Sequence, residues 1–235
     1  MIPFTKAHGA RNDFLLTWAH EAPAEGLLRE AAIAICDRHT GVGADGWLLV
    51  RPASQGAPAA IRLFNSDGSE AEISGNGTRC AAAFLCDAGL TGPEIEILTG
   101  AGLKRLRLMR RDGLRFDFEM DMGAARISPE ELRVTLEIQG RALDCTLVWP
   151  GNPQCAVFAG EIPGDWIALG EAIESHPRFP NRTNVSFVKV IDEGTLEVRF
   201  YERGAGVTMS SGTGSTGAFA AARARGLAGP RATIR

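Results

Sequence analysis

The stretch of sequence that decides the fold occurs twice in the chain. Residues 61–84 read IRLFNSDGSEAEISGNGTRCAAAF, and residues 198–221 read VRFYERGAGVTMSSGTGSTGAFAA. The two copies align without a gap at an offset of 137 residues (211 − 74), which pairs Ser74 with Ser211. A repeat of this length predicts two similar domains that each contribute the same loop. If the two loops meet, the site between them has near two-fold symmetry, which suits chemistry on opposite faces of one small molecule.

Each copy contains a glycine-rich loop followed by an Ala-rich stretch that we predict to be helical. The loops are SGNGT at 74–78 and SGTGS at 211–215. Glycines let the backbone approach a ligand closely, and the start of a helix offers unpaired N–H groups with positive dipole character. One such loop alone is most often an ordinary helix cap. The duplicated pair, in register, instead favours a site that holds a carboxylate from both sides.

Composition and charge narrow the class of protein. The 235 residues are 45% hydrophobic and 23% charged, and the formal net charge is −3, which is ordinary for a globular protein of one or two domains. We therefore expect no nucleic-acid partner. No apolar run is long enough to cross a membrane and the N-terminus lacks a signal-peptide pattern, so we expect a cytoplasmic protein without a membrane partner. The five cysteines show no metal-ligand spacing, which favours buried thiols and no metal site.

The pattern of apolar residues predicts an α+β fold in which strands dominate. Alternation of apolar and polar residues favours strands, and RRDG at 110–113 is typical of a hairpin turn. The predicted strands are 14–18, 47–51, 61–64, 94–98, 104–109, 114–119, 146–149, 186–190 and 196–201, and the predicted helices are 26–37, 78–88, 165–175 and 215–225. The Ala-rich helices lack bulk, so each can lie at the centre of its domain. Trp47 and Trp149 lie in strand-like runs, where core packing is the usual role.

The repeat also predicts the domain organisation. It places an N-terminal domain at 1–119 and a C-terminal domain at 120–235. In the first copy about two more strands follow residue 98, whereas the second copy stops at Arg235. A sheet without those strands would expose an unpaired edge, so we expect the second domain to lack its last strands because C-terminal residues are missing.

Six segments, taken in order, resemble the motif series of the diaminopimelate epimerase family. They are HGARNDF, DRHTGVGADG, FNSDGSEAEISGNGTRC, GNPQCAVF, RTNVSF and YERGAGVTMSSGTGS, and the resemblance runs from Phe4 to the C-terminus. The resemblance implies two pseudo-symmetric domains, each a barrel-like sheet around a central helix. It also implies inversion at the Cα of an amino acid by two bases, without pyridoxal phosphate, another cofactor or a metal. Relatives in that family are often dimers, so a homodimer is also an expectation.

The residues at the expected catalytic positions depart from the family pattern. The resemblance implies one thiol at each of positions 74 and 211, and this chain has Ser74 and Ser211. A serine hydroxyl is a much weaker acid than a thiol and needs another group to take its proton. The GNP motif is followed in the family by a histidine, and here by Gln154, which cannot titrate. Glu202 matches the carboxylate that assists the opposite thiol and is retained.

Three explanations of the serines stay open. They are an engineered change that traps a substrate complex, natural divergence in an epimerase that uses serine with Glu202 or a water, and a shift to a related reaction such as dehydration. Two Cys-to-Ser changes made by design would not account for Gln154. We therefore favour natural divergence.

The remaining matches describe a binding shell for a diamino dicarboxylate. Amide oxygens accept hydrogen bonds from an ammonium group, and arginine pairs with a distal carboxylate. Backbone groups of the two glycine loops would take the α-carboxylate. The predicted substrate-binding residues are Asn12, Asn65, Gly75, Asn76, Asn152, Asn184, Arg203, Gly212 and Thr213, and the predicted catalytic positions are Ser74, Ser211, Glu202 and Gln154.

The residues and the resemblance together predict a cofactor-independent isomerase that acts on a small amino acid. The leading hypothesis is interconversion of L,L- and meso-diaminopimelate in lysine and cell-wall precursor synthesis. The first alternative is another enzyme of the same fold, such as a phenazine-biosynthesis isomerase or a hydroxyproline dehydratase, acting on a different substrate. The second alternative is an amino-acid-binding protein without turnover.

Overall fold

The chain divides into two compact units. The computed structural model describes residues 1–54 and 56–235, and places the units at Met1–Met122 (unit 1) and Gly123–Arg235 (unit 2). This division lies three residues (122 − 119) after the boundary expected from the repeat. None of the helices formed by the described residues has both the length and the apolar character that a membrane crossing needs.

Unit 1 is a strongly twisted sheet with two helices. Its strands are β1 (Thr5–Gly9), β2 (Asn12–Trp18), β3 (Gly46–Arg51), β4 (Ala59–Asn65), β5 (Glu70–Ala71), β6 (Glu94–Thr99), β7 (Gly102–Asp112) and β8 (Arg115–Asp121), and its α-helices are α1 (Leu28–Cys36) and α2 (Gly75–Asp87). Over the described residues, eight strands join in the order β1-β2-β3-β4-β6-β7-β8, with β5 paired to β4. Short 3-10 turns at Ala19–Glu21 and Glu25–Leu27 precede α1.

The sheet of unit 1 curls around α2. This helix packs against β1, β2, β3, β4, β6 and β8, so it contacts both edge strands of the sheet. Its small buried residues, such as Ala81 and Ala82, let the strands approach, and Leu85 fills the centre of the core. The other face of β2 and β3 packs on α1 through Leu15 and Trp47, which are fully buried. The central strands are therefore buried on both faces.

Unit 2 repeats this plan. Its strands are β9 (Val134–Ile138), β10 (Arg141–Val148), β11 (Gln154–Phe158), β12 (Asn184–Asp192), β13 (Thr195–Glu202), β14 (Gly206–Thr208) and β15 (Thr233–Ile234), and its α-helices are α3 (Trp166–Glu174) and α4 (Gly212–Ala224). In the part of unit 2 that the structure describes, seven strands join in the order β14-β13-β12-β11-β10-β9, with β15 paired to β13. One face packs on α3 and the other on α4.

The strand registers of the two units correspond residue by residue. In unit 1, Phe14 pairs with Gly46, which pairs with Asn65. In unit 2, Gln154 pairs with Asn184, and Val185 pairs with Tyr201, so the same antiparallel register extended by one residue places Glu202 opposite Asn184. Helices α2 and α4 begin and end at positions that differ by the same offset as the two loops. The equivalent positions that bear on the site are Asn12 and Asn152, Phe14 and Gln154, Gly46 and Asn184, and Asn65 and Glu202.

The structure confirms the predicted fold class and corrects several details. The hairpin after β7 turns at Gly113 and Leu114, because Asp112 already pairs with Arg115, so the predicted turn began too early. Trp149 lies beyond the end of β10 and is 39% exposed, so the prediction that it packs in the core is wrong. The five cysteines are buried and unpaired, as predicted. Among the strands of five or more residues, β1, β9 and β11 were not predicted: β1 (TKAHG) has few apolar residues, whereas β9 (VTLEI) alternates clearly and was overlooked.

Candidate active site

The two predicted catalytic serines are both helix N-caps. Ser74 Oγ accepts a hydrogen bond from Gly77 N at 3.0 Å, and Ser211 Oγ accepts one from Gly214 N at 3.0 Å. Both serines have extended backbone angles, with φ −127° and ψ 123° for Ser74 and φ −134° and ψ 121° for Ser211. The duplicated sequence therefore folds into the same local geometry twice, with each hydroxyl held at the positive end of a helix.

Ser211 also contacts a carboxylate. Its Oγ donates to Glu202 Oε2 at 3.1 Å, and Thr208 Oγ1 donates to Glu202 Oε1 at 2.6 Å. Ser211 is 2% exposed and Glu202 is half-buried, so this carboxyl group meets the hydroxyl in an environment with little water. Glu202 is positioned to accept the proton of Ser211, and Thr208 fixes the orientation of the carboxylate.

Gln154 belongs to the same network. Its Nε2 donates to Asn152 Oδ1 at 2.9 Å and to Thr213 Oγ1 at 3.2 Å, and Thr213 Oγ1 lies 3.5 Å from Ser211 Oγ. Gln154 is 3% exposed, and its buried Oε1 has no hydrogen-bond partner among the described residues. An unpaired buried acceptor costs about 1–3 kcal/mol. The amide therefore orients Thr213 through its donor side, while its acceptor side remains unsatisfied.

Asn184 and Arg203 form a second cluster in unit 2. Asn184 Nδ2 donates to Pro153 O at 2.9 Å, and its Oδ1 accepts from Arg203 N at 3.0 Å. The next amide, Gly204 N, donates to Glu174 Oε1 at 2.9 Å. Asn184 therefore connects the loop that carries Arg203 to the loop before β11. The nitrogen and the oxygen of its side-chain amide each form a hydrogen bond with a backbone atom. This arrangement positions Arg203 next to Glu202.

In unit 1 the predicted polar residues form a chain of amides. Asn76 Nδ2 donates to Asn12 Oδ1 at 3.3 Å, and Asn12 Nδ2 donates to Asp45 Oδ2 at 2.7 Å. Arg79 donates to Asn76 Oδ1. Asn65 lies apart from this chain, and its Nδ2 donates to Ser69 Oγ at 3.0 Å. Within unit 1 the structure thus brings Asn12 and Asn76 together beside the glycine loop, whereas Asn65 contacts its own turn.

A charged cluster anchors the segment that carries Asn12. Arg38 donates to Asp13 Oδ1 at 2.6 Å and to Asp45 Oδ1 at 2.9 Å, and Lys6 Nζ lies 3.1 Å from Asp13 Oδ2. Burial opposes ionisation of Asp13, but the hydrogen bonds from Arg38 and Lys6 outweigh it and lower its pKa from 3.8 to about 2. Asp13 is therefore ionised at neutral pH, and the cluster holds Asn12 in place through Asp45.

The cysteines do not supply the missing thiols. Burial raises the pKa of the Cys36 and Cys80 thiols to about 12, so both stay protonated near neutral pH. The described residues contain no cluster of three or more His, Cys, Asp or Glu side chains that could hold a metal ion. The ionisable group in contact with a predicted catalytic serine is the Glu202 carboxylate.

Comparison with known proteins identifies the family. The family model described as "Diaminopimelate epimerase" matches residues 4–128 and 146–235. The diaminopimelate epimerase of Synechococcus sp. (strain JA-3-3Ab) is 41% identical over 251 residues, which cover 99% of this chain and 87% of the relative. That of Moorella thermoacetica (strain ATCC 39073 / JCM 9320) is 37% identical over 243 residues, which cover 98% and 87%. The chain belongs to the diaminopimelate epimerase family.

A solved structure extends the similarity to the fold of a racemase. A probable proline racemase from Agrobacterium radiobacter K84 superposes with a TM-score of 0.74 at 20% identity, covering 97% of this chain and 79% of that one. At this level of identity the similarity supports the fold alone. The family match confirms the resemblance to diaminopimelate epimerases that the six sequence motifs indicated.

The sequence analysis missed three residues that hold predicted site residues in place. Thr208 holds Glu202, Asp45 holds Asn12, and Arg79 holds Asn76. All three lie inside the quoted motifs, and Thr208 and Arg79 are each three residues from a predicted site residue (211 − 208 and 79 − 76). Their position in the motifs was visible, but a threonine or an arginine beside a glycine loop is too common for its partner to be inferred from spacing.

Proposed function

We propose that this protein is a cofactor-independent isomerase that interconverts L,L- and meso-diaminopimelate. The observation that carries the proposal is the contact between Ser211 and Glu202 at the start of α4, in a chain of the diaminopimelate epimerase family. The reaction would serve lysine and cell-wall precursor synthesis, and we propose a cytoplasmic location and a free amino acid as the substrate.

The chemistry on one side of the substrate would use Ser211 and Glu202 together. As the α-carbon–hydrogen bond breaks, the proton would pass to Ser211 Oγ, and the hydroxyl proton of Ser211 would pass to Glu202 Oε2, 3.1 Å away. The electron pair of the broken bond stays on the α-carbon. The amide of Gly214 already donates to Ser211 Oγ at 3.0 Å, and it stabilises negative charge on that oxygen during the transfer.

Inversion also requires an acid on the other face of the α-carbon, and we assign it to Ser74. The hydroxyl of Ser74 would deliver its proton to the carbanion, and the Gly77 amide would stabilise the resulting alkoxide. Among the described residues of unit 1, Ser74 Oγ forms a hydrogen bond with the backbone amide of Gly77 and with no carboxylate. We therefore assign the slower of the two proton transfers to Ser74, since it lacks the carboxylate that Ser211 has.

The substrate's carboxylates would be held by groups that are already oriented. The backbone N–H groups of Gly75, Asn76, Gly212 and Thr213 begin the two central helices and suit the α-carboxylate. Arg203 suits the distal carboxylate through paired hydrogen bonds. We propose that Asn12 and Asn152, at equivalent positions of the two units, contact the rest of the amino acid.

The test is exchange of the α-proton in D₂O. Incubation with L,L-diaminopimelate, followed by proton NMR, is expected to show loss of the α-proton signal and formation of the meso isomer. Glu202→Gln is expected to slow exchange about 100-fold or more, because the proton acceptor is lost. Arg199→Gln, an exposed change on the same strand, serves as the matched control and is expected to leave exchange unchanged.

A one-base reaction is the second candidate, and the difference between the two serines favours it. Glu202 contacts Ser211, whereas the equivalent position in unit 1 holds Asn65. If L,L-diaminopimelate exchanges its α-proton with retention and no meso isomer forms, the one-base reaction replaces the epimerase assignment. Saturable binding without any exchange contradicts both and leaves an amino-acid-binding protein.

A further inference from the structure

The sheet of unit 1 is open between its two edge strands. A cavity of about 780 Å³ lies there, lined by β1, the start of β8 and the side of α2. Its apolar wall includes Phe116 and Phe118, and its polar wall includes Lys6, His8, Arg79 and Arg115. Asp117 is the acidic side chain in this lining. Lysine and arginine side chains therefore outnumber acidic ones in this lining, although the protein as a whole has a net charge of −3.

Arg79 is the least exposed of the three lysine and arginine side chains in this lining. It lies in the second turn of α2, lines the cavity, is partly buried, and donates to the neutral Asn76 Oδ1. No carboxylate among the described residues forms an ion pair with it. A guanidinium has five N–H donors, so this contact leaves most of its capacity unused. Burial lowers the pKa of Arg79, which is the sign of a cation without a compensating anion.

The other cations of the cavity differ in how they are paired. Lys6 is held by Asp13 at 3.1 Å and by Gly43 O at 2.6 Å, so its charge is largely compensated. Arg115 lies 3.8 Å from Asp117 and its side chain is 79% exposed, which makes a weak pair. Arg79 and Arg115 can therefore both turn towards a bound anion, one from α2 and one from β8.

We propose that this cavity binds a small organic oxyanion, a carboxylate or a phosphate ester, with Arg79 as its main ligand. Arg79 would pair with the anion through two parallel N–H groups, which suits planar carboxylate and phosphate oxygens. Arg115 adds a second positive charge, and Phe116 and Phe118 offer an apolar surface to the remainder of the molecule. The site is separate from the glycine loop that ends at Thr78.

The same arginine connects the cavity to the candidate active site. Arg79 donates to Asn76 Oδ1, and the other end of that amide donates to Asn12 Oδ1. An anion that draws Arg79 towards the cavity would weaken its hold on Asn76. The ligand would therefore act on the orientation of Asn76 as well as occupy the cavity.

Equilibrium binding of inorganic phosphate and citrate to the full chain tests the proposal. Each probe is titrated by calorimetry at constant ionic strength set with chloride, and the probe that binds identifies the class of anion. Arg79→Met is expected to weaken binding about tenfold or more, since a charge-assisted bidentate contact is lost. Arg107→Met removes the same charge from an exposed residue of unit 1 outside the cavity, and is expected to bind as the unchanged protein does.

Arg115→Met keeps the test decisive if Arg79→Met does not fold. Its exposed side chain lies outside the core, and its loss is expected to weaken binding about two- to fivefold. An anion bound only at the glycine loops would not respond to Arg115→Met. Absence of binding by both probes overturns the proposal, and so does binding that neither cavity variant weakens.

Discussion

The side chain at position 211 caps a helix and, in the proposed reaction, transfers a proton. Oxygen suits the first of these and sulfur suits the second. As a helix cap Ser211 Oγ accepts from Gly214 N, and as a proton donor it contacts Glu202. Oxygen is the better cap acceptor, whereas sulfur is the better acid, because a thiol ionises near pKa ~8.5 and a helix N-terminus lowers that value. Serine at this position therefore caps α4, and in the proposed reaction it would transfer a proton more slowly than a thiol.

Ser211→Cys is expected to separate these two effects. Loss of the oxygen cap should lower the free energy of unfolding by about 1 kcal/mol, while α-proton exchange should rise by about 100-fold or more. Urea denaturation and NMR exchange in D₂O measure the two quantities on one sample. Ser175→Cys, at an exposed serine after α3, controls for the introduction of a thiol. A variant that loses stability without faster exchange would refute the acid/base role of position 211.

At the scale of elements, the two glycine loops differ in how closely they pack. A methyl group added to Gly214 would lie 2.7 Å from Phe200 Cδ1 and 2.9 Å from Ser211 Cβ. At the equivalent Gly77, the closest atom would be Ser74 Cβ at 3.3 Å. The start of α4 is thus pressed against β13, whereas the start of α2 has slightly more room.

Gly214→Ala and Gly77→Ala form a matched pair of variants. Alanine should favour either helix by up to about 1 kcal/mol, but the clash with Phe200 should cost about 1–3 kcal/mol. We therefore expect Gly214→Ala to be the less stable of the two, measured by thermal or urea unfolding. Equal stability of the two variants would show that β13 yields without cost at this contact.

The elements themselves could largely be predicted from the sequence, because they follow from local patterns. Alternation in 104–109 and 114–119 placed β7 and β8, and the Ala-rich runs after the loops placed α2 and α4. Strand β1 could not, since TKAHG has few apolar residues, whereas the alternation of β9 (VTLEI) was visible and was overlooked. Trp149 shows the same limit in one residue, because a single position past a strand end changes whether a side chain is buried.

The site could be predicted only as far as the motifs carry it. Ser74, Ser211 and Glu202 follow from the repeat and the family resemblance. The contact of Thr208 with Glu202 and the orphaned oxygen of Gln154 depend on strand register, which no local pattern specifies. Arg79 illustrates the general reason, since its partner is a neutral amide rather than the carboxylate that its charge would suggest.

At the scale of the whole molecule, the charged cluster around Asp13 links acid stability to the site. The pKa of Asp13 falls from 3.8 to about 2 in the folded protein. A depressed carboxyl pKa adds stability that is present above pH 4 and is lost as the pH falls towards 2. Because Arg38 is 53% exposed, we expect a contribution of about 1–2 kcal/mol rather than the full value of the shift.

Arg38→Met tests this linkage. The variant should unfold about 1–2 kcal/mol more easily than the unchanged protein at pH 7, and most of this difference should be lost as the pH falls to 2, because Asp13 of the unchanged protein then also becomes protonated. Arg105→Met removes an arginine from an exposed pair with Glu96 and should cost less than about 1 kcal/mol. A difference between Arg38→Met and the unchanged protein that persists at pH 2 would place the effect in packing instead of charge.

The matched strand registers of the two units have a consequence for the history and the redesign of the chain. A polypeptide made of two identical halves would carry the same residue at Asn65 and Glu202, and the same residue at Phe14 and Gln154. The present chain differs at both pairs, so the two halves would contribute different groups to the proposed reaction. The spacing from Asn65 to Ser74 equals that from Glu202 to Ser211. Position 65 is therefore the place in unit 1 where a carboxylate could be introduced near Ser74.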